Sequence, residues 1–389
     1  MKGGAVSAGK RAHGRFVATG RGAQAFVPAP LPPRLHWTPK MLRSLSEADR
    51  LLGWLAGEGG RMTNPNLLMR PFLTREAVLS SRIEGTQATL GDILASDAGA
   101  LVKRSPEDLK DVANYLSALN HGIARLRDTP ISIPHILELH ERLMEGTRGN
   151  DATPGEFRRV QNWIGTPGCR MEDATYIPPP PEVLPECMAS LEAFLQDRTF
   201  PPLVQIALAH YQFEAIHPFI DGNGRIGRLL ITLFLVERGL LPTPLLYLSA
   251  FFDATRDLYY AHLGRVTTEG DWEGWLVYFF TGVARQAEDA LERAESINDQ
   301  MASWRTGVAG IPSKVLPAVL ERLASNPYIT ATRIAEDLGV AFTTAQRAIE
   351  KLKEMGILEE TRRAKRDRVY CARAILEILD RPARLAGRT

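Results

Sequence analysis

The chain has 389 residues, a formal net charge of +2 and 44% hydrophobic residues. That is enough length for two or three domains with substantial cores, and no apolar run approaches the ~18 residues a membrane span needs. Three cysteines, Cys169, Cys187 and Cys371, show neither pairing nor metal-ligand spacing, which argues against a disulfide framework or a zinc site and for a reducing, cytoplasmic location.

The first 35 residues are rich in Gly, Ala, Pro and basic groups and hold no acidic residue. They lack the apolar segment of a secretory signal and read as a disordered basic tail. Residues 36–104 form an N-terminal module in which Leu73, Ala77 and Leu79 suit a partly buried helix. Its end reads Ser80-Ser81-Arg82-Ile83-Glu84-Gly85, and helical spacing puts Ser80 and Glu84 on one face. Taken alone, Glu84 is a solvated helical glutamate.

Ser105-Pro106-Glu107-Asp108 supplies a cap, a first-turn proline and two acids. From Leu109 to Leu126 an apolar stripe then continues at near-helical spacing. Pro134 to Met144 repeats the pattern; His140 on that face reads as a packed residue without chemistry. Between Gly155 and Pro181, the pieces 159–164 and 175–178 flank a turn with glycine and proline and predict a hairpin.

Leu203 to Ile216 is free of proline and glycine and reads as a helix, which must stop before Pro218. His217 therefore sits at a helix end facing a loop. Gly222 and Gly224 can take positive φ, so the loop amides can converge into an anion-binding nest. The apolar run Ile226 to Val236 begins a new helix whose positive end faces that nest. Asp221 offers a hard oxygen ligand for Mg²⁺. Arg225 and Arg228, three apart, can both fork onto phosphate oxygens.

The string His217-Pro218-Phe219-Ile220-Asp221-Gly222-Asn223-Gly224-Arg225-Ile226-Gly227-Arg228 resembles the Fic signature HPFx[DE]GNGRxxR at every fixed position. The resemblance implies a mainly α fold: a Fic-type helical core with a β-hairpin flap, spanning 105–306, and a small C-terminal winged-helix domain. It also implies AMP transfer from ATP to a Tyr, Ser or Thr hydroxyl of a target protein, the chain itself included. His217 is then the base, suited to the task by an unperturbed imidazole pKa of about 6.5. Asp221 holds Mg²⁺, and Asn223 with the amides of Gly222 and Gly224 stabilises charge at the α-phosphate. Arg225 and Arg228 anchor the outer phosphates, and Phe219 packs the loop against the core. Doc-type kinases carry lysine where this chain has Gly224, which favours AMP transfer over phosphorylation.

Residues 64–90 resemble the module that precedes many bacterial Fic cores, and Ser80 to Gly85 resembles the inhibitory motif [ST]xxxE[GN]. The resemblance pairs Glu84 with Arg228 and makes the chain self-restrained. It also leaves open a reverse reaction, removal of AMP from a modified target with Glu84 positioning water. Ile164 and Tyr176 are the flap residues placed to dock a target strand. Tyr259 and Tyr260 fall on a later helix, where either adenine contact or core packing fits. Cores of this kind dimerise, so a homodimer is among the implied assemblies.

After Gly307 to Pro312, a linker, residues 313–389 resemble a helix-turn-helix followed by a wing. Thr343, Thr344, Gln346 and Arg347 occupy its recognition surface, and 362–368 form a basic wing. The segment holds fifteen Lys and Arg against ten Asp and Glu, which suits contact with DNA phosphates. Protein docking fits the same module. The alternative function is therefore a DNA-binding regulator in which the Fic core senses nucleotide or is idle.

Overall fold

The computed structural model describes residues 13–19, 22–61, 65–147, 153–166, 168–241, 244–361, 368–385 and 387. Apolar spacing and punctuation together account for its helices. Among the described residues these are α1 (Pro39–Arg61), α2 (Pro65–Ile83), α3 (Leu90–Asp97), α4 (Pro106–Arg125), α5 (Ile133–Leu143), α6 (Leu184–Gln196), α7 (Pro202–Ile216) and α8 (Asn223–Glu237). They continue with α9 (Ser249–Ala254), α10 (Arg256–Glu269), α11 (Trp272–Val308), α12 (Val315–Ser325), α13 (Ala331–Leu338), α14 (Phe342–Glu354) and α15 (Arg373–Asp380). The strands are short: β1 (Gly14–Ala18), β2 (Gln24–Pro28), β3 (Tyr328–Thr330), β4 (Glu359–Glu360) and β5 (Val369–Cys371). The protein is mainly α, as the sequence predicts.

The chain forms two compact units, each assembled from separated stretches. The first runs to Arg50, then Ser117–Leu240 and Thr255–Ala284; the second comprises Leu51–Leu116, Leu241–Ala254 and Arg285–Thr389.

In the first unit α7 is the core helix. Thirteen of its fifteen residues are buried, so it has no polar face, the mark of a helix packed on all sides. Its buried polar side chains are satisfied inside the unit. Gln205 donates to the carbonyl of Asp197 at 2.7 Å and accepts from Arg238 at 2.6 Å, while Trp275 donates to the carbonyl of Ala207 at 2.8 Å. α6 and α8 pack on α7.

Residues 14–28 are not a disordered tail. β1 and β2 pair antiparallel, with Gly14 opposite Pro28, and Ala25, Phe26 and Val27 are buried. The Phe26 amide donates to the carbonyl of Ile177 at 2.8 Å, and Gln212 of α7 donates to the carbonyl of Ala29 at 3.0 Å. The basic, glycine-rich composition hid a short apolar stretch whose burial against the core drives its order.

In the second unit α2 packs against α9 and α12. Glu76 is buried and accepts from Tyr115 at 3.2 Å and from the hydroxyl of Ser249 at 2.5 Å. The winged helix has its three-stranded sheet in the order β3-β5-β4. Thr330 caps α13 by accepting from the Arg333 amide, and Gly339, at φ 63°, ends the helix in the left-handed turn that glycine favours. The module is joined to the N-terminal helices of this unit. Asn326 donates to the carbonyl of Leu94 at 2.8 Å and Thr330 to that of Ala98 at 3.1 Å. Arg293 pairs with Asp289 at 2.7 Å and donates to the carbonyl of Arg381 at 2.9 Å. The packing units therefore cut across the chain segments drawn from the sequence.

Candidate active site

The candidate site is built on the turn between α7 and α8. α7 ends at Ile216 because Pro218 cannot continue it, and His217 takes the left-handed conformation at φ 50°, ψ 60°. For a residue with a Cβ this conformation costs on the order of 1–3 kcal/mol and persists only where the surroundings hold it. The surroundings do so here. The His217 amide donates to the carbonyl of Phe213 at 2.9 Å, and Arg158 Nε donates to the His217 carbonyl at 2.9 Å.

Beyond His217 the loop folds around Asn223. Its Oδ1 accepts from the Phe219 amide at 2.8 Å and its Nδ2 donates to the Phe219 carbonyl at 2.9 Å. The Asn223 side chain thus braces the loop. Gly222 sits at φ 80°, and a Cβ there would lie 3.0 Å from Met144 Sδ, so this position requires glycine. The Gly222 amide is taken by Asp221 Oδ1 at 2.6 Å. No side chain makes a cap hydrogen bond to α8, which leaves its first-turn amides and positive end to other acceptors.

The charged groups divide by burial. The Asp221 carboxylate is 59% exposed, with Arg225 Nη2 3.5 Å from its Oδ2. Arg225 and Arg228 are buried, at 6% and 2% exposure. Asp221 suits Mg²⁺: an accessible hard oxygen beside an uncapped helix end leaves most of an octahedron for water and phosphate oxygens.

Two residues the sequence left without a role shape this loop. His140 of α5 stacks on Phe219 with ring centroids 3.7 Å apart and planes 8° apart. Its Nδ1 accepts the Gly155 amide at 3.0 Å, so Nε2 carries the proton and donates to the Asp221 carbonyl at 3.1 Å. Burial pushes its pKa down to about 4, keeping it neutral. His210 does the same for α8: its Nδ1 donates to the Gly227 carbonyl at 3.1 Å and its Nε2 accepts from Tyr259 at 2.8 Å. Burial lowers its pKa to about 3. Tyr259 is therefore a core residue, whereas Tyr260 is 45% exposed.

Among the described residues the flap pairs through one isolated antiparallel bridge, Ile164 opposite Tyr176. Val160, Trp163 and Ile164 are exposed at 60%, 37% and 41%. Tyr176 turns inward, and its hydroxyl donates to the Ala215 carbonyl of α7 at 2.6 Å. It anchors the flap to α7, while Ile164 is exposed.

Ser80 and Glu84 belong to the second unit. Ser80 is buried in α2; the helix ends at Ile83, so Glu84 lies exposed in the following turn. In the winged helix Thr343, Thr344 and Arg347 are exposed. Gln346 turns inward to Glu350 at 2.9 Å and Tyr370 at 3.1 Å. Of the basic wing at 362–368, residues 362–367 lie outside the described residues.

Comparison with known proteins agrees with this anatomy. Residues 130–235 match the Fic/DOC family, 42–124 the Fic/DOC family N-terminal region and 315–359 a winged helix-turn-helix DNA-binding family. The chain therefore carries a Fic domain, its N-terminal companion and a C-terminal winged helix. The protein adenylyltransferase fic-1 of Caenorhabditis elegans is 30% identical over 219 residues, 54% of this chain and 39% of that protein. The protein adenylyltransferase Fic of Drosophila erecta is 33% identical over 199 residues, 49% of this chain and 36% of its own. The matched stretch thus spans about two-fifths of the length of these relatives. Among solved structures, a Fic family protein from Desulfovibrio desulfuricans G20 superposes with a TM-score of 0.59 at 22% identity, covering 88% of this chain and 98% of that one. Fic-1 from C. elegans gives 0.50 at 26% identity, covering 66% and 73%.

Proposed function

We propose that this protein is a protein adenylyltransferase that moves AMP from ATP to a Tyr, Ser or Thr hydroxyl of a target protein. The observation that carries the reading is the α7–α8 turn, which gathers a histidine at a helix end, an accessible carboxylate, an uncapped helix N-terminus and two buried arginines. The relatives named adenylyltransferases support it.

In this mechanism the His217 imidazole takes the proton of the target hydroxyl, whose oxygen attacks the α-phosphorus of ATP. The bond from that phosphorus to the bridging oxygen breaks, and pyrophosphate leaves with the electron pair. The α8 amides and Asn223 meet the α-phosphate oxygens, and Arg225 and Arg228 hold the outer phosphates. Asp221 holds Mg²⁺, which when bound neutralises charge on the phosphate oxygens. Gly224 leaves the cradle without the side chain that Doc-type kinases carry there.

Glu84 restrains the enzyme in this reading, which rests on the motif Ser80 to Gly85. The test is incubation with α-labelled ATP and Mg²⁺. Strong labelling by Glu84→Gly, little by the wild type and none by Glu84→Gly with His217→Ala is the expected pattern. A Glu84→Gly protein that labels nothing in a lysate, itself included, sinks the proposal. The match of 315–359 to a DNA-binding family favours DNA as a second partner, to be checked by salt-sensitive binding to duplex DNA.

A further inference from the structure

We infer that Arg158 is the positioning residue of this site, a single buried guanidinium that sets the backbone of His217 and ties it to both limbs of the flap. The inference rests on the adenylyltransferase reading.

Arg158 is 2% exposed, and all three of its side-chain hydrogen bonds end on main-chain carbonyls. Nε donates to His217 at 2.9 Å, Nη1 to Val160 at 3.1 Å and Nη2 to Pro179 at 2.5 Å. Its own amide donates to the Pro218 carbonyl at 2.9 Å, and Asn162 Nδ2 donates to that of Phe219 at 3.0 Å. Three consecutive carbonyls, 217 to 219, are therefore held by the outgoing limb of the flap.

This arrangement answers a conflict in the sequence. The turn at 217 needs a left-handed residue, for which glycine is the ordinary choice, and the chemistry needs an imidazole. His217 is one of two non-glycine residues at positive φ among the described residues. A donor locked onto its carbonyl keeps the strained peptide in place. The donors of Arg158 end on neutral carbonyls and burial lowers its pKa to about 10, so the guanidinium still carries its positive charge beneath the loop at neutral pH. Only a planar fork reaches three acceptors in different directions; a lysine ammonium has the charge without the geometry.

Arg158 acts through His217 on turnover and through Val160 and Pro179 on target docking, while Arg225, Arg228 and the α8 amides hold ATP. In the Glu84→Gly background, Arg158→Ala should lower the labelling rate about 100-fold, as a displaced catalytic group does. Binding of a fluorescent ATP analogue should change less than about threefold on the same logic of separate sites. Millimolar guanidinium, well below denaturing concentration, should restore about a tenth of the lost rate to Arg158→Ala, and Arg158→Lys should remain low although it stays folded at the assay temperature.

Labelling by either variant within threefold of the parent overturns the inference, as does a loss that follows melting temperature and resists guanidinium. If Arg158→Ala does not fold, Arg158→Lys carries the test. Hydrogen exchange separates this inference from the activity itself. In Arg158→Lys, amides at 158–162, 213–217 and 219 should exchange faster together even if no variant labels a protein; unchanged protection there refutes the positioning role and leaves the adenylyltransferase reading standing.

Discussion

The arginines at the α7–α8 turn and the basic side chains of the winged helix carry the same charge under opposite conditions. In the turn they are buried, and Arg158 spends its donors on neutral carbonyls. On the winged helix they are exposed and meet acids. Arg333 faces Asp337 at 3.3 Å, Lys351 faces Glu354 at 3.0 Å, and Lys353 and Arg368 share Glu350 and Glu360 at 3.5–3.8 Å. A phosphate site needs charge that is held but not cancelled. Arg158 meets that condition, whereas in the winged helix a count of basic residues overstates the field offered to a ligand.

Several substitutions can break this contrast. The largest effect is expected from His217→Ala, which removes the base and should cut labelling in the Glu84→Gly background by about 10²–10⁴-fold. Next, Arg225→Ala or Arg228→Ala should cost about 10²–10³-fold, as the loss of a preorganised donor does. Arg333→Ala and Lys353→Ala should leave the rate within twofold. Equal losses from the two sets, measured in one labelling assay, would erase the distinction.

Smaller effects test how the buried polar groups are held. His140→Phe keeps the stack on Phe219 but strands the Gly155 amide and the Asp221 carbonyl, at a cost of about 1–3 kcal/mol for each group left buried. The melting temperature reads that cost directly. Acidification tests the same residue without substitution. The folded pKa values of His140 and His210, about 4 and about 3, lie below the ordinary imidazole value. As pH falls below about 6.5 the unfolded chain binds protons that the folded one refuses, so stability should drop between about pH 6.5 and 4. A melting temperature that is level across that window contradicts the neutral, buried assignment. The smallest effect is expected for Arg333→Ala on stability, within about 0.5 kcal/mol by thermal denaturation.

The turn itself was legible because its parts are consecutive: a proline stops one helix, glycines bend the loop, and an apolar run starts the next. Arg158 and His140 were not, because they meet the loop across 59 and 81 residues of chain. No local period marks such a residue. His140 sits on an amphipathic face where a packed histidine is the ordinary expectation, and only the stack on Phe219 and the bond to Asp221 reveal its task. The partners of Gln346 and Tyr176 were hidden for the converse reason. Their positions fit an exposed surface, but a better set of partners lay inward.

The sequence by itself determined the helices, the chemistry-bearing string from His217 to Arg228 and the helix-turn-helix, since each follows from residues within a few turns of one another. The tertiary structure decided which polar groups are buried, which cations are matched by acids, and how a strained histidine is held. Those outcomes depend on donors and acceptors brought together from distant stretches of chain, where water no longer competes for them.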